Sequence, residues 1–229
     1  IVYSTTKYIG GHGISIGGLL VDGGNFDWES AGDRFKMLNQ PDPSYHGAIW
    51  TQAAKPLGPI AYILKARVTL LRDLGSAMSP FNAFTFIQGL ETLPLRMQRH
   101  CENSQKVADY LSNHKKVSKV IYPSLMEGKY LDRAKKYLEK GFGALVGFEL
   151  KDGENAGKKF IDNLKIFYHV ANIGDSRSLA IHPSSTTHSQ LSEEEKLSSG
   201  VTPGYVRLSV GIEHIDDILE DLEQALNKA

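Results

Sequence analysis

From Lys116 to the C-terminus the chain alternates short apolar runs with amphipathic stretches, the pattern of a small α/β domain with interleaved helices and strands. Strands are expected over 117–122, 144–150, 166–170, 178–181 and 205–210, and helices over 130–139 and 155–164. A final amphipathic helix carries Ile215, Ile218, Leu219, Leu222 and Leu226 on one side.

The first half reads differently. Ile1, Val2 and Tyr3 are β-branched or aromatic and look like the tail of a strand that starts upstream, so the chain is expected to be a piece of a longer polypeptide. A second short, buried strand is expected over 14–21, followed by an irregular excursion over 22–50 rich in Gly, Asn, Asp and Pro. Pro59 opens a helix with one apolar stripe through Ile60, Ile63, Leu64, Val68, Leu71 and Leu74, and Gly75 stops it. Ser79-Pro80 is an N-cap followed by a proline, and helical periodicity then runs to about Leu111. Pro94 predicts a kink or break near Thr92. A long bent helix of this kind commonly joins two domains.

Charge narrows the partners. Lys+Arg and Asp+Glu are each 26, which leaves no net field to gather nucleic acid or an anionic membrane. The apolar runs are far too short to span a bilayer. The single cysteine, Cys101, excludes an internal disulfide framework and suits a reducing cytosol, so a cytoplasmic location is expected.

Chemistry concentrates in three places. In Ser4-Thr5-Thr6-Lys7, an extended backbone would put the Ser4 and Thr6 hydroxyls on one face, where both could donate to one phosphate while Lys7 reaches the group that phosphate anchors. The glycines follow the lysine, at 10, 11 and 13, whereas a nucleotide-binding P-loop places them before it. Pyridoxal 5′-phosphate (PLP) needs a phosphate anchor and one lysine; a solvated lysine at a strand end is the competing reading. The second place is Arg207, in the middle of an apolar strand, where its guanidinium needs an anion: a protein carboxylate or a substrate carboxylate. The third is 171–188, dense in small polar groups. His182 and His188 lack the spacing of a zinc pair, and no metal site is expected.

Together these segments resemble the family of PLP enzymes of cysteine and methionine metabolism, which includes cystathionine synthases and lyases and the homoserine-ester sulfhydrylases. "STTKYIGGHG" is similar to the family's lysine signature, "SPFNAFTFIQGLETLPLRMQRHCENSQKVADYL" to its helix between large and small domains, and "NIGDSRSLAIHPSSTTH" and "TPGYVRLSVGIEHIDDILEDL" to its substrate-carboxylate segments. The resemblance covers essentially the whole chain. It implies the C-terminal part of a fold type I PLP-dependent transferase: residues 1–100 would complete the large, cofactor-binding domain with its linking helix, and 101–229 would form the small α/β domain.

By position, Lys7 would be the Schiff-base lysine and proton shuttle, Ser4 and Thr6 would hold the cofactor phosphate, and Arg207 assisted by Asn172 would bind the substrate α-carboxylate. Asn172 where γ-lyases often have serine, "GGHG", and the long excursion all resemble the O-acetylhomoserine sulfhydrylase branch. That branch exchanges acetate on Cγ of an amino-acid ester for sulfide or a thiol. A γ-synthase or γ-lyase of the same family is the alternative, and an inactive unit of folding or oligomerisation is another. The resemblance further implies a missing N-terminal part that supplies the rest of the site, a homotetramer, and little turnover by this chain alone.

Overall fold

The computed structural model describes residues 1–229. Contacts group them into two compact units, one of residues 1–5 and 16–84, the other of residues 6–15 and 85–229. The second unit therefore takes in the lysine segment and most of the long helix, which the division at residue 100 assigns to the first part of the chain.

In the first unit, β1 (Val2–Ser4) pairs antiparallel with β2 (Gly18–Leu20), Val2 opposite Leu20 and Ser4 opposite Gly18. All six residues are exposed, so the buried strand expected over 14–21 is instead three residues of a ribbon that nothing in its own unit covers. The excursion over 22–50 is more ordered than its composition suggests. It holds tight turns at Gly32–Phe35 and Pro43–Tyr45 and a short α1 (Lys36–Asn39), then leads into α2 (Trp50–Ala54). Leu38, Trp50, Ala54 and Ala61 form a small core there, with Trp28, Phe35 and Tyr62 packed on it. The Asp42 carboxylate ties it together: Lys65 Nζ donates to it at 2.5 Å, as do Ser44 and Trp50 Nε1, at 2.8 Å for the indole. The lysine bond above all holds that carboxyl well below the usual range.

The expected helix after Pro59 is α3 (Ala61–Lys65), a π-type stretch Ala66–Leu71 and α4 (Arg72–Leu74), ended by Gly75 at φ +71°. Its stripe is not buried throughout: Ile60, Ile63, Leu64 and Val68 are half-buried, while Leu71 is exposed and Leu74 is 74% exposed. The π-type turn is the physical reason: extra residues per turn rotate Leu71 and Leu74 out of register with the residues before it.

α5 (Pro80–Ser112) runs 33 residues through Pro94, so of the kink or break expected near Thr92 no break occurs, and Ser79 Oγ caps it by accepting from Asn82 N. Pro94 and Leu90, whose carbonyl the ring displaces, are both exposed residues, so the lost hydrogen bond falls on the side away from the core. The opposite side is buried at Phe86, Gly89, Arg96, His100, Asn103, Ser104, Val107, Ala108 and Leu111.

The second unit continues with β3 (Val117–Ile121), α6 (Gly128–Tyr137), β4 (Leu145–Leu150), α7 (Gly153–Asn163), β5 (Tyr168–His169), β6 (Leu179–Ile181), α8 (Glu193–Ser198), β7 (Tyr205–Ser209) and α9 (Ile215–Lys228). The strand expected over 166–170 shrinks to two residues, because backbone N–H groups 165–167 bond the Asp221 side chain instead of a ladder. The sheet order is β3-β4-β7-β6-β5, with only β5 and β6 parallel. Arg207 lies on the central strand, opposite Gly147 on one side and Ile181 on the other.

Alternation decides where that arginine points. Val206 and Leu208 are fully buried in the core with Phe148, Phe160, Ile218, Leu222 and Leu226, so Tyr205, Arg207 and Ser209 face the other side of the sheet. Each of the large aliphatic and aromatic side chains in this core stabilises the fold by roughly 1.5–3 kcal/mol.

Asp221, 3% exposed, is the polar keystone of α9: it accepts from Lys165 N at 2.8 Å, Ile166 N at 2.8 Å, Phe167 N at 3.2 Å and Gln224 Nε2 at 2.9 Å. Asp221→Ala is expected to strand several backbone donors and to destabilise the second unit by about 3–5 kcal/mol, whereas Asp221→Asn recovers part of that. Urea unfolding followed by far-ultraviolet circular dichroism measures the difference.

Candidate active site

β1 ends at Ser4, and residues 5–10 form a turn in which Gly11 N donates to Lys7 O at 2.8 Å. The extended backbone that would align Ser4 with Thr6 therefore stops at Ser4. Ser4 is exposed, while Thr6 and Lys7 are half-buried. Gly11 has φ +73°, and a Cβ there would overlap the guanidinium of Arg96, so this turn needs glycine on both counts.

The Lys7 amine donates to Asn172 Oδ1 at 2.5 Å. No carboxylate lies within ion-pair distance of Lys7, so a neutral carboxamide is what holds the amine in place. The same asparagine's main-chain carbonyl accepts from Arg207 Nη2 at 3.2 Å. One residue thus links the lysine and the arginine that the sequence had only set 200 positions apart.

Arg207 has no protein carboxylate partner, and its Nε is buried with no hydrogen-bond acceptor. The structural ion pair that would make this arginine a bland one is absent, and an unpaired buried donor beside a secured one is an arrangement that an added carboxylate completes. Tyr205, next but one on the same strand face, lies over Gly147, and burial raises its phenol above the usual range.

The segment carrying Asn172 is fixed on both sides. Gly174 N donates to Ser209 Oγ at 3.0 Å, and Ser176 donates to Gly11 O through both its N–H and its hydroxyl, each at 2.8 Å. Asp175, 3% exposed, pairs with Arg177 at 3.0 Å, and Arg177 Nη2 reaches His12 O. Farther on, Ser178 donates to the Glu213 carboxylate through its N–H and its hydroxyl, and His100 and Asn103 of α5 hold the carbonyls of Val210 and Gly211 beyond β7. Burial pushes the His100 imidazole below its ordinary range, so it donates through Nδ1 as a neutral ring to the Val210 carbonyl at 2.7 Å.

Of the five residues that the sequence singles out, the fold brings Lys7, Asn172 and Arg207 together, while Ser4 ends β1 and Thr6 lies in the turn that follows. The sequence reading passed over Arg96, Asp175, Ser176 and Ser209. The signal for Arg96, His100 and Asn103 was there in principle: polar residues standing in register with a helix's buried stripe.

The residues present fit PLP. A lysine amine held by an amide and free of any ion pair can react with an aldehyde, and the unpaired Arg207 Nε suits the carboxylate of an amino acid. No helix in the chain is long and apolar enough to cross a membrane.

Comparison with known proteins agrees with this chemistry. The model of the family described as Cys/Met metabolism PLP-dependent enzyme matches residues 1–227. O-acetyl-L-homoserine sulfhydrylase of Leptospira meyeri is 58% identical over 99% of this chain and 52% of its own length. Homocysteine/cysteine synthase of Saccharomyces cerevisiae is 46% identical over 98% of this chain and 52% of its own. Among solved structures, a putative O-acetylhomoserine (thiol)-lyase of Campylobacter jejuni, which carries a pyridoxyl-lysine monophosphate, matches with a TM-score of 0.89 at 41% identity over 99% of this chain and 53% of that one. The chain thus spans about half the length of the curated relatives it matches.

Proposed function

The chain belongs to the Cys/Met metabolism PLP-dependent enzyme family, and from that premise we propose that it is the C-terminal part of an O-acetylhomoserine sulfhydrylase. The whole enzyme breaks the Cγ–O bond of O-acetylhomoserine, forms a Cγ–S bond with sulfide or a thiol, and releases acetate with homocysteine or a thioether. The observation that carries the reading is Asn172, which holds the Lys7 amine by its side chain and the Arg207 guanidinium by its main chain.

When bound, PLP supplies an aldehyde for a lysine amine and a ring that withdraws electrons from the substrate Cα. Ser4 and Thr6 would hold its phosphate, and Lys7 would be the amine that reacts with its aldehyde. The Arg207 fork binds the substrate α-carboxylate through Nε and the outer face of its guanidinium, with Nη2 already secured to Asn172 O. The free Lys7 amine, held by Asn172 Oδ1, would stand where it can take a proton from the substrate Cα and then Cβ as acetate leaves, and return them to Cβ and Cα after the Cγ–S bond forms. Asn172 is thereby both a substrate-binding residue and the resting place of the proton carrier.

In this reading residues 1–100 complete the cofactor-binding domain and 101–229 form the small domain. The enzyme works in the cytosol as a homotetramer, with an N-terminal part supplying the remaining cofactor contacts. Assembled with that part, the protein is expected to consume O-acetylhomoserine only when sulfide or a thiol is present. Cystathionine formed from cysteine, or a 2-oxo acid released without sulfide, would instead identify a γ-synthase or a γ-lyase.

A further inference from the structure

Arg96 is a buried cation with nothing anionic near it. It is 6% exposed, no carboxylate lies within ion-pair distance, and burial holds its guanidinium below its ordinary value. A charge in that position is costly unless its donors are satisfied in another way. Three of its four hydrogen bonds go to main-chain carbonyls: Nη1 to Tyr8 O at 2.8 Å, Nη2 to Gly89 O at 2.7 Å, and Nη2 to Ile9 O at 3.4 Å. The fourth runs from Nε to Thr92 Oγ1 at 3.1 Å.

Two of those carbonyls belong to the residues immediately after Lys7, and the other two acceptors sit on α5. The helix is shaped to meet them. Gly89 is buried, and a Cβ there would overlap the carbonyl of Ile9, so its hydrogen lets the loop lie directly on the helix. Gly11, from the loop side, lies against the same guanidinium.

We propose that Arg96 is a positioning residue for the lysine: its planar fork, with Gly89 and Gly11 as the gaps that admit it, locks the turn after Lys7 onto α5 and thereby sets where the Lys7 amine points. The inference rests on the reading that Lys7 is the residue that reacts with PLP. It also explains why the position holds arginine. A lysine would keep the charge but supply a single point donor, which cannot span the acceptors on the loop and those on the helix.

The test uses the chain with Arg96→Lys, Arg96→Met and Gly89→Ala. The last keeps the arginine and raises intrinsic helix propensity, so any loosening it causes comes from the displaced loop and not from a weakened helix. Two readouts are taken together: hydrogen exchange of the Gly11 amide, which bonds Lys7 O, and the rate at which PLP with borohydride labels Lys7 relative to Lys106, an exposed lysine of α5.

All three variants are expected to speed Gly11 exchange at least about tenfold and to bring the labelling ratio down towards that of an ordinary solvated lysine. Protected Gly11 and an unchanged ratio in Arg96→Lys and Gly89→Ala would overturn the proposal. Should Lys7 label no faster than Lys106 already in the unmodified chain while Gly11 stays protected, the reading of Lys7 fails and with it the proposal's functional half. Should Arg96→Met not fold, Gly89→Ala still decides.

Discussion

Lys7→Ala is expected to abolish the visible absorbance that PLP gains on reacting with the protein, and to remove the borohydride-stable mass increment from the peptide that spans residue 7. In the assembled enzyme the same change should lower sulfide-dependent turnover by roughly 10³-fold or more, because one amine both attaches the cofactor and carries the proton between substrate carbons. The fold is not expected to suffer: Lys7 is half-buried, makes one side-chain hydrogen bond and no ion pair. An unchanged spectrum in a folded Lys7→Ala protein would end the assignment. So would a pyridoxyl mark that forms faster on another lysine than on Lys7 in the unmodified chain.

The second large effect is at Arg207. Arg207→Leu removes the donors proposed for the substrate carboxylate and the bond to Asn172 O, and charge-assisted hydrogen bonds of this kind contribute about 1.5–3 kcal/mol each. KM for O-acetylhomoserine is therefore expected to rise on the order of 10²–10³-fold. Arg207→Lys should recover only a small part, since an ammonium cannot hold a carboxylate by two parallel bonds while keeping the Asn172 carbonyl. The visible spectrum with PLP should survive both changes, which separates a substrate-binding arginine from a cofactor-binding one. Equal KM values in Arg207→Leu and the unmodified enzyme would show that the unpaired Nε serves something other than the substrate.

The two effects meet in Asn172. Its two carbonyl oxygens serve two different cations, so the position of the carboxylate binder and that of the lysine amine are set by the same short segment. That segment is in turn tied to the lysine loop by Ser176 and to β7 by Ser209. Shifting it moves substrate and proton carrier together, and chemistry that requires a Cα–H bond held against one amine benefits from that coupling.

Much of this was legible in the sequence. The alternation Tyr205-Val206-Arg207-Leu208-Ser209 already says that Arg207 leaves the core face, and the stripe on α9 already says where Ile218, Leu222 and Leu226 go. Ser79 caps α5 as the Ser79-Pro80 pair predicts. Where the reading slipped, a short-range pattern was asked about a long-range fact. An apolar run over 14–21 says strand, but whether anything covers it depends on what packs against it. Pro94 says that a hydrogen bond is lost, but whether the helix breaks depends on the nine residues buried on its other side.

What the sequence determined by itself is whatever follows from neighbours along the chain: the α/β alternation, the caps, the faces of the strands, and a lysine signature next to hydroxyls and glycines. Only the tertiary structure decided that Lys7 rests on Asn172, that Arg207 has an open Nε and no protein carboxylate, and that Arg96 sits under the lysine loop instead of in solvent. The physical reason is range. Propensity and periodicity report energies exchanged within a few residues, whereas a buried charge is satisfied by whichever carbonyl the fold delivers from far along the chain, and no local pattern records which one that is.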